Sequence, residues 1–434
     1  MTDRKAPTAV SFPVRIRRQG KQGFIAGETV SLSLDSMLVQ PEERLPLNSD
    51  VELQIVVGHE LPPCRMVVRA YEADRIRLEY IEQPPAVSAL VARLFHDQNA
   101  FGDFVIEALI GTGAMAEVYR ALVRRGPHRG QIVALKRLSP KVALDSTLQE
   151  LFLNEADLTR MLDHPGIVKV IQAGMVGSTY FIAMEYLEAG SIADLLDACA
   201  EANLKLPIDF CCYVAGLVAN ALEYVHTYRG PDGARPGIVH RDVTPSNILI
   251  SAAGVVKLTD FGVAHVGSLT GGDGAIVGKA LYQPPEQIVG GKVSPDSDVF
   301  ALSAVLYEML TNVRAFDAED VPAIHKRVRK YDVRPPHELR PEIPVALSKL
   351  VMLGLSPDRE RDKLGLFTRL WRRVSRRHIP KRIATAAAFG TRVRVFSEPL
   401  YAAPQVVQVV ISKLREVRRF RPLFGPLSAT PKVG

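Results

Sequence analysis

The segment from Ile238 to Ile250 constrains the fold and the chemistry of this chain more than any other. It reads IVHRDVTPSNILI, so a polar loop separates two apolar runs, and a third apolar run at 255–258 leads towards Asp260. Apolar runs of this length predict short buried strands with the polar side chains at their ends. Asp242 in the loop can accept a proton from a hydroxyl group, while Asn247 and Asp260 offer oxygen ligands to Mg²⁺. The segment therefore predicts a site that combines a general base with a hard cation.

The length and composition indicate a globular protein of two or three domains. The 434 residues are 47% hydrophobic and 23% charged, which is ordinary for a protein with sizeable buried cores. The formal net charge is +7, but the basic excess is concentrated after residue 364. We interpret this excess as solvated surface and do not expect the chain to bind nucleic acid. Four cysteines lack metal-ligand spacing and indicate reduced, buried thiols, namely Cys64, Cys199, Cys211 and Cys212.

The sequence shows no apolar segment typical of secretion or membrane insertion. Its first ten residues, MTDRKAPTAV, lack the apolar core of a signal peptide. A membrane-spanning helix needs about 20 apolar residues, and the nearest candidate, Val406–Ile411, is far shorter. We therefore expect a cytoplasmic protein without a membrane span.

The polar loop and the Asp-Phe-Gly segment at 260–262 resemble the catalytic loop and the metal-binding segment of protein kinases. The resemblance extends over residues 101–365 and is to the bacterial-type, Hanks-like serine/threonine kinases. It implies that the cofactors are ATP and Mg²⁺, that Asp242 is the general base, and that Asn247 and Asp260 bind the metal. It also implies an α+β, bilobal protein-kinase fold with a β-rich N-terminal lobe and a helical C-terminal lobe.

A glycine-containing loop at 111–116 lies between strand-like runs at 104–110 and 117–122. A dinucleotide-binding fingerprint would need a helix after the glycines, and a Walker loop would need Gly-Lys-Ser/Thr; the sequence has neither. A strand–loop–strand flap whose backbone N–H groups cover phosphates is the protein-kinase arrangement, here with Ala116 at the third glycine position. An ordinary hairpin turn is the alternative.

A lysine at the end of a buried strand predicts a charged partner elsewhere in the chain. Lys136 ends the apolar run 133–136, and a buried lysine is costly unless it is paired. Glu155 falls within the apolar stripe of a helix predicted over 147–162, four residues after Leu151. The two residues resemble the kinase ion pair that positions the α- and β-phosphates. Exposure of Glu155 to solvent is the alternative.

The residues that the resemblance implies around ATP come from both predicted lobes. Met184 bounds the adenine pocket in this comparison, and the backbone of the following Glu-Tyr-Leu segment meets the adenine ring. The full set comprises Ile110, Gly111, Thr112, Gly113, Ala114, Met115, Ala116, Glu117, Val118, Ala134, Lys136, Glu155, Met184, Glu185 and Leu187.

Two positions depart together from the kinase pattern. Serine/threonine kinases have a lysine two residues after the catalytic aspartate, where this chain has Thr244. The segment 278–286, GKALYQPPE, resembles Gly-Thr-x-x-Tyr-x-Ala-Pro-Glu, and Lys279 stands where the threonine of that pattern packs against the lysine. We therefore predict that Lys279 supplies the cation to the transferred phosphate. The alternative is that Thr244 and Lys279 are chance substitutions and that the chain is a nucleotide-binding pseudokinase scaffold. The predicted catalytic residues are Asp242, Lys136, Asn247 and Lys279.

Two further residues have structural roles by the same resemblance. Asp298 matches the buried aspartate that ties the catalytic loop to the next helix. Arg361 matches the arginine that pairs with Glu286 at the end of the activation segment.

Residues 1–98 carry short apolar runs separated by Pro, Gly, Asn and Asp, which predict a small β-barrel. The predicted strands are Phe12–Ile16, Thr29–Val39, Val51–Val57, Arg65–Tyr71 and Arg75–Ile81, followed by a helix at Val87–Phe95. A six-stranded barrel with a trailing helix resembles a PilZ domain, a family that binds cyclic di-GMP through an Arg-x-x-x-Arg pair and an Asp/Asn-x-Ser-x-x-Gly turn. Here Arg17 has Lys21 at that spacing, and the turn keeps only Ser33. We therefore expect a barrel that contacts a protein partner and does not bind cyclic di-GMP. A cyclic-dinucleotide sensor that gates the kinase is the alternative.

The remainder of the chain, 366–434, is a basic C-terminal extension in which arginine and lysine greatly outnumber glutamate. An apolar pattern at 402–415 predicts a helix, so that the extension either docks on the kinase domain or is a disordered tail. Binding to an acidic partner and then to nucleic acid are the alternatives. The predicted domains are thus a PilZ-like β-barrel at 1–98, a kinase domain at 101–365, and this extension. Proteins with serine or threonine acceptors are the expected substrates.

Overall fold

The structure is a computed structural model of the 434-residue chain. It describes residues 8–9, 13–18, 23–32, 36–57, 59–60, 62–82, 84, 87, 99–113, 115–139, 145–251, 253–261, 278–357 and 380–397. The chain divides into two compact units. The N-terminal unit comprises residues 1–112 and 117–137, and the C-terminal unit comprises residues 113–116 and 138–434.

A closed six-stranded barrel forms the first part of the N-terminal unit. The strands of this region are β1 (Thr8–Ala9), β2 (Pro13–Arg18), β3 (Ile25–Leu32), β4 (Ser36–Pro41), β5 (Asp50–Val57), β6 (His59–Glu60), β7 (Cys64–Glu72) and β8 (Arg75–Glu82). They are hydrogen-bonded in the order β3–β2–β5–β7–β8–β4, and β3 also pairs with β4, which closes the ring. The short strands β1 and β6 extend β3 and β5. The predicted β-barrel is confirmed.

Alternation of apolar and polar residues explains how the barrel fills its interior. In β2, Val14 and Ile16 are buried, whereas Arg15 and Arg17 are exposed. The inward-facing side chains of the six strands form one apolar core. Because eight strands already give an interior that side chains can fill, a six-stranded barrel is filled by its own residues. A ligand of this domain would therefore bind on its surface.

The single strand predicted over Thr29–Val39 is wrong. The chain reverses there, since β3 ends at Leu32 and β4 begins at Ser36. Leu32 pairs with Met37 across the resulting antiparallel hairpin. The alternating pattern of this stretch concealed the reversal because the sequence between the two strands, Ser-Leu-Asp, has neither glycine nor proline.

Four strands follow the barrel in the N-terminal unit. They are β9 (Ala100–Phe101), β10 (Phe104–Thr112), β11 (Ala116–Val123) and β12 (Ile132–Leu138). Their order is β12–β11–β10–β9, and β10 is antiparallel to both β9 and β11. The strands predicted at 104–110, 117–122 and 133–136 are confirmed with slightly wider bounds. The helix predicted at Val87–Phe95 lies outside the described residues except for Val87.

Helices dominate the C-terminal unit. Its elements in chain order are α1 (Ser146–Arg160), β13 (Val170–Val176), β14 (Thr179–Glu185), β15 (Ala189–Ser191), α2 (Ile192–Glu201), α3 (Ile208–Thr227), a 3-10 turn (Pro245–Asn247), β16 (Ile248–Ser251), β17 (Val256–Leu258), α4 (Pro285–Ile288), α5 (Pro295–Thr311), α6 (Val321–Lys330), α7 (Pro336–Leu339), α8 (Val345–Gly354) and α9 (Ala386–Arg394). Strands β15, β16 and β17 form a small antiparallel sheet in that order. The polar loop at 238–247 therefore lies directly before β16, and Asp260 follows closely after β17.

Local signals in the sequence explain where several helices begin. Asp145 caps α1 by accepting hydrogen bonds from two backbone N–H groups of the first turn. Ser191 and Asp194 form a capping box at the start of α2. Ile167 and Val168 pair with Leu258, and β13 begins at Val170.

Helices α3 and α5 form the centre of the C-terminal unit. Every residue of α5 from Ser297 to Thr311 is buried, and α3 packs against this helix. Helix α3 carries two acidic residues, Asp209 and Glu223, and is long and apolar enough to cross a membrane by length and composition. The expectation that no stretch approaches a membrane span is therefore wrong for this segment. The apolar side chains of α3 lie in the helical core. Val406–Ile411 lies outside the described residues.

Helix α9 belongs to the same core. Ala386, Phe389 and Val393 are fully buried, and α9 packs against α3, α5 and α8. Arg394 donates a hydrogen bond of 3.2 Å to the backbone oxygen of Gly216 in α3. The sequence reasoning assigned these residues to the basic extension, whereas their burial makes 380–397 part of the helical core. The helix predicted at 402–415 lies outside the described residues.

Candidate catalytic site

One buried carboxylate from α5 holds the polar loop at 238–247. The Asp298 side chain is 1% exposed, and it accepts hydrogen bonds of 2.8 Å from the backbone N–H groups of His240 and Arg241. His226, near the end of α3, adds a contact of 2.7 Å between its Nε2 and Asp298 Oδ2. Arg241 has a positive φ of 67°, a conformation that costs about 1–3 kcal/mol and persists only where the surrounding contacts enforce it. Asp298 thus ties the loop to the helix, as predicted.

His240 connects the loop to the segment that carries Asp260. Its ring is fully buried; Nε2 donates to the carbonyl oxygen of Thr259 at 3.2 Å, and Nδ1 accepts from the backbone N–H of Asp242 at 3.3 Å. These partners require the neutral tautomer with its proton on Nε2. Burial lowers the pKa of His240, which agrees with a neutral ring. The ring also packs on Phe261, with centroids 4.6 Å apart.

The backbone of Thr259 is hydrogen-bonded both to His240 and to Asn247, one of the two predicted metal ligands. Its N–H donates to the backbone oxygen of Asn247 at 2.9 Å, while its carbonyl accepts the bond from His240. Asp260, the next residue, has a left-handed backbone conformation with φ of 56°. Asn247 and Asp260 therefore belong to one hydrogen-bonded unit, in which the residue before Asp260 is held on both sides.

Asn247 is oriented by Asp242. Its Nδ2 donates to the backbone oxygen of Asp242 at 2.8 Å and to Asp242 Oδ2 at 3.2 Å. The amide oxygen of Asn247 accepts no hydrogen bond within the described ranges and can serve as a metal ligand. Among the residues that the structure describes, no three His, Cys, Asp or Glu side chains cluster as a metal site. The two oxygen donors Asn247 and Asp260 fit Mg²⁺, because Mg²⁺ commonly binds one or two protein oxygens and completes its shell with water and phosphate.

Lys279 completes the surroundings of Asp242. Its Nζ donates to Asp242 Oδ2 at 2.8 Å from the short helical turn at 278–280. The Lys279 side chain is 52% exposed and that of Asp242 is 17% exposed. Oδ2 of Asp242 thus has two donors, Lys279 and Asn247, whereas Oδ1 has none within the described part of the chain. Thr244, the other half of the predicted exchange, is buried. The structure brings Lys279 to the base, and its catalytic role remains a prediction.

Glu286 in α4 is anchored by an arginine that the sequence reasoning missed. The two terminal nitrogens of Arg382 donate to the two carboxylate oxygens of Glu286 at 2.7 and 3.1 Å. Ser297 Oγ adds a hydrogen bond of 2.6 Å to Glu286 Oε1. The Arg382 side chain is 0% exposed. Arg361, the predicted partner, lies outside the described residues. No local signal in the sequence would have found Arg382, because it lies in a basic stretch in which arginines are normally solvated.

A second buried carboxylate of α5 supports the segment that carries Lys279. The Tyr282 hydroxyl donates to Glu308 Oε2 at 2.5 Å, and Tyr282 N–H donates to the backbone oxygen of Lys279 at 3.1 Å. Burial raises the pKa of Glu308, against the lowering effects of the Tyr282 hydrogen bond and of Arg314. The turn that presents Lys279 is thus connected to the core helix.

The predicted flap is a hairpin of β10 and β11. The paired residues nearest its tip are Gly111 with Val118 and Thr112 with Glu117. At the tip, Gly113 N–H donates to the backbone oxygen of Ala116 at 2.8 Å. Ile110, just before the tip, is exposed, and Ala114 lies outside the described residues. The strand–loop–strand arrangement is therefore confirmed.

The other predicted nucleotide-binding residues are divided between the two units. Ala134 and Lys136 lie half-buried on β12 in the N-terminal unit. Glu155 lies half-buried on α1 in the C-terminal unit. The segment 184–187, also in that unit, comprises the last two residues of β14 and the two residues that follow the strand. The pairing of Lys136 with Glu155 remains a prediction.

Known proteins resemble this chain over its kinase-like region. A family model described as the protein kinase domain matches residues 104–359. The chain is 31% identical over 258 residues to the tyrosine-protein kinase MasK of Myxococcus xanthus, covering 59% of this chain and 40% of that protein. It is 31% identical over 251 residues to the probable serine/threonine-protein kinase CPE1738 of Clostridium perfringens, covering 57% and 34%. It is 32% identical over 261 residues to the serine/threonine-protein kinase PknA of Mycobacterium tuberculosis, covering 58% and 56%.

The chain thus spans between about a third and about half of the length of these relatives. Among solved structures, the kinase domain of Mycobacterium tuberculosis PknI has 22% identity and a TM-score of 0.48, over 69% of this chain and 98% of that one. The family model covers more than half of the chain. Together with the flap, the catalytic loop and the helical core, this match confirms the predicted α+β kinase fold after a small β-barrel. The chain belongs to the protein kinase family.

Proposed function

We propose that this chain is an ATP-dependent protein kinase that transfers the γ-phosphate to serine and threonine hydroxyls of proteins, including its own. The observation that carries the proposal is the state of Asp242. Asn247 and Lys279 hold its Oδ2, and its Oδ1 accepts no hydrogen bond within the described residues. One oriented and one available oxygen are what a general base for an incoming hydroxyl requires. Asp298 holds the loop rigid, and phosphoryl transfer depends chiefly on positioning and electrostatics.

The proposed reaction uses residues of the chain to orient and deprotonate the acceptor. The substrate hydroxyl donates a hydrogen bond to Asp242 and attacks the γ-phosphorus, while the bond from that phosphorus to the β–γ bridging oxygen breaks. Asp242 takes up the hydroxyl proton as the new P–O bond forms. Asn247 and Asp260 would hold Mg²⁺, which when bound neutralises charge on the β- and γ-phosphate oxygens.

We infer that the flap, Lys136, Glu155 and the segment 184–187 have the nucleotide-binding roles that the family resemblance implies. The backbone N–H groups of 111–116 would cover the phosphates, and Lys136 held by Glu155 would orient the α- and β-phosphates. The backbone of 184–187 would contact adenine. The confirmed hairpin of β10 and β11 supports this assignment.

We further infer that Lys279 replaces the lysine of the catalytic loop. Phosphoryl transfer needs positive charge at the transferred group, and Thr244 cannot supply it. The 2.8 Å contact of Lys279 with Asp242 brings an ammonium group to the same carboxylate. This contact opposes the second candidate, a scaffold that binds ATP without turnover, which the Thr244 departure alone would favour.

The acceptor class rests on the relatives and on the resemblance of the catalytic segments. Two of the relatives are named as serine/threonine kinases and one as a tyrosine kinase. We therefore expect phosphoserine and phosphothreonine to dominate an acid hydrolysate of the autophosphorylated chain. Dominant phosphotyrosine would overturn this part of the proposal.

The barrel is proposed to be a PilZ-like domain that no longer binds cyclic di-GMP. Arg17, in the region of the family's arginine pair, donates to Glu52 Oε2 at 3.0 Å, and Arg18 donates to the backbone oxygen of Arg44 at 3.0 Å. Guanidinium groups used in this way are less available to a phosphate. We expect calorimetric titration with cyclic di-GMP to give no heat of binding, and saturable binding would restore the sensor alternative. A protein partner is then the expected ligand of the barrel.

We propose a cytoplasmic location, where ATP and reduced thiols prevail. The four cysteines are buried as free thiols, which is compatible with that setting. The expected substrates are proteins, and nucleic acid is not expected as a partner. The proposed kinase domain extends from about residue 101, and 380–397 belong to its helical core.

Transfer of labelled phosphate from ATP with Mg²⁺ tests the proposal, comparing the full chain with Asp242→Asn. We expect autophosphorylation, or transfer to a generic basic substrate, that the variant loses. Calorimetry with ATP on the same samples separates loss of transfer from loss of binding. Binding without transfer in the wild-type chain would support the scaffold candidate and overturn the enzyme.

A further inference from the structure

A half-buried ion pair joins two segments of the proposed nucleotide site. Lys257 is the central residue of β17, and its Nζ donates to Oε1 of Glu185, the last residue of β14, at 2.5 Å. The Lys257 side chain is only 14% exposed and that of Glu185 is 30% exposed. An exposed pair of this type contributes little because water screens it. Burial makes this pair a stronger constraint on the positions of both strands.

The same carboxylate oxygen of Glu185 has a second donor. The backbone N–H of Lys169 donates to Glu185 Oε1 at 2.8 Å, and the backbone N–H of Glu185 donates back to the oxygen of Lys169 at 2.9 Å. Lys257 Nζ also reaches the backbone oxygen of Ile167 at 3.5 Å. The side chains of Lys257 and Glu185 thus meet at the short segment 166–169.

That short segment is itself paired with β17. Val168 N–H donates to the oxygen of Leu258 at 3.0 Å, and Leu258 N–H donates to the oxygen of Gly166 at 2.8 Å. Three stretches of chain, namely 166–169, the end of β14, and β17, are therefore locked together by backbone pairing and by one ion pair. All three lie in the C-terminal unit.

The position of this junction gives it a consequence for the nucleotide. On one side Glu185 begins the segment proposed to contact adenine. On the other side β17 runs through Thr259 into Asp260, the proposed metal ligand. We propose that Lys257 is a positioning residue that couples the adenine-contacting segment to the metal-binding aspartate, so that the two ends of Mg²⁺-ATP are bound at a fixed separation. This inference rests on the proposed binding of ATP and adds a residue that the sequence patterns did not single out.

The coupling predicts a specific pattern of binding defects. Lys257→Met removes the charge but keeps the length of the side chain, and Glu185→Gln removes the opposite charge. Each variant should lower the affinity for Mg²⁺-ATP by about tenfold, as loss of a supporting partner commonly does for a bound metal, with a much smaller effect on ATP in the presence of EDTA. The double variant should be no worse than either single variant, because the two residues act through one contact. Lys257→Arg keeps the charge and should recover most of the affinity.

The experiment is calorimetric titration of the full chain with ATP, with Mg²⁺ and with EDTA, alongside KM for ATP and kcat at saturating ATP. Lys349→Met is the matched control, because Lys349 is an exposed lysine of α8 remote in sequence from the junction. We expect KM to rise with kcat within about twofold. Equal loss of affinity with and without Mg²⁺, or additive effects in the double variant, would mean that the pair only supports the fold and would overturn the proposal.

The two proposals fail in different ways. ATP binding by the wild-type chain without phosphate transfer would overturn the enzymatic function, while the calorimetric comparison of Lys257→Met with Lys349→Met would still decide the coupling. Absence of any ATP binding by the wild-type chain would overturn both.

Discussion

Replacement of Lys279 by alanine tests the proposed exchange of the catalytic lysine most directly. Lys279 Nζ lies 2.8 Å from Asp242 Oδ2, so its charge stands beside the base and beside the phosphate that approaches it in the proposed reaction. Two unit charges at such a distance interact by about 1.5 kcal/mol in water and by about 6 kcal/mol at an effective dielectric constant near 20. Because half of the Lys279 side chain is exposed, we expect a loss in the lower part of this range, about 2–3 kcal/mol of transition-state stabilisation.

Such a loss corresponds to a roughly 30- to 150-fold lower kcat. The assay is transfer of labelled γ-phosphate at saturating ATP, with the ATP affinity measured separately by calorimetry. Since Lys279 is proposed to act on the transferred phosphate, we expect the affinity to change by less than about threefold. Lys349→Ala, at an exposed position of α8, serves as the control. A Lys279→Ala chain that keeps the wild-type kcat would refute the reasoning.

The exchange itself can be reversed in the same assay. Lys279→Thr should lose activity like Lys279→Ala, and adding Thr244→Lys to it rebuilds the arrangement that the family uses. We expect the double variant to recover part of kcat, because a lysine at 244 would again bring an ammonium group to Asp242. Thr244→Lys alone should give no gain, since it adds a second cation beside a carboxylate that already has one. Failure of the double variant to exceed Lys279→Thr would count against the exchange.

Three further predictions concern stability. Arg382→Ala should lower the free energy of unfolding by about 3–5 kcal/mol, because it leaves the buried carboxylate of Glu286 without its cation. The control Arg392→Ala, at an exposed position, should change this free energy by less than about 0.5 kcal/mol. Urea unfolding of both variants checks this prediction. Burial lowers the pKa of His240 below its ordinary value of 6.5. The contribution of His240 to stability is therefore complete above pH 6.5 and declines as the pH falls. His240→Phe should flatten the decline of the thermal midpoint on the acid side. Burial raises the pKa of Glu308 above 4.5. Stability is therefore lost as the pH rises through this raised pKa and the buried carboxyl group ionises. Glu308→Gln should have a higher thermal midpoint than the wild-type chain at pH 8 but not at pH 4.

The proximity of Asp242 and Asn247 could be predicted from the sequence because the two residues are only five positions apart. Asp242 and Asn247 lie in one loop that leads directly into β16, although the apolar run before the loop, which predicted a strand, forms none. Lys279 is 37 residues from Asp242, and its proximity to Asp242 was predicted only because Lys279 and Thr244 both depart from the kinase pattern. The barrel was predicted from alternation, which fails where a turn lacks glycine and proline, as between β3 and β4.

The residues that support the site could not be predicted in the same way. Arg382 lies 96 residues from Glu286, and His226 lies 72 residues from Asp298. A charged side chain in a basic stretch is normally solvated, so no local pattern distinguishes Arg382, which is buried, from the arginines around it in the sequence. His226 ends an apolar helix and has no spacing motif of its own. Only the packing of distant helices shows that these side chains meet a carboxylate, because burial of a charge is decided by tertiary structure.

The carboxylates of the C-terminal unit differ in which of their oxygens accept hydrogen bonds. This difference distinguishes the proposed enzyme from the alternative of a nucleotide-binding scaffold. Asp298 and Glu286 are buried and each has three donors, so neither can take up a proton without breaking its contacts. Asp242 is partly exposed, and the described donors reach Oδ2 alone. A scaffold needs only the oriented oxygen, whereas a general base also needs the available one. Asp242→Asn keeps an acceptor for Lys279 and Asn247 but removes the basic oxygen. We therefore expect its thermal midpoint and ATP affinity to stay near those of the wild-type chain while phosphate transfer is lost; equal transfer by both chains would show that the available oxygen of Asp242 has no part in the reaction.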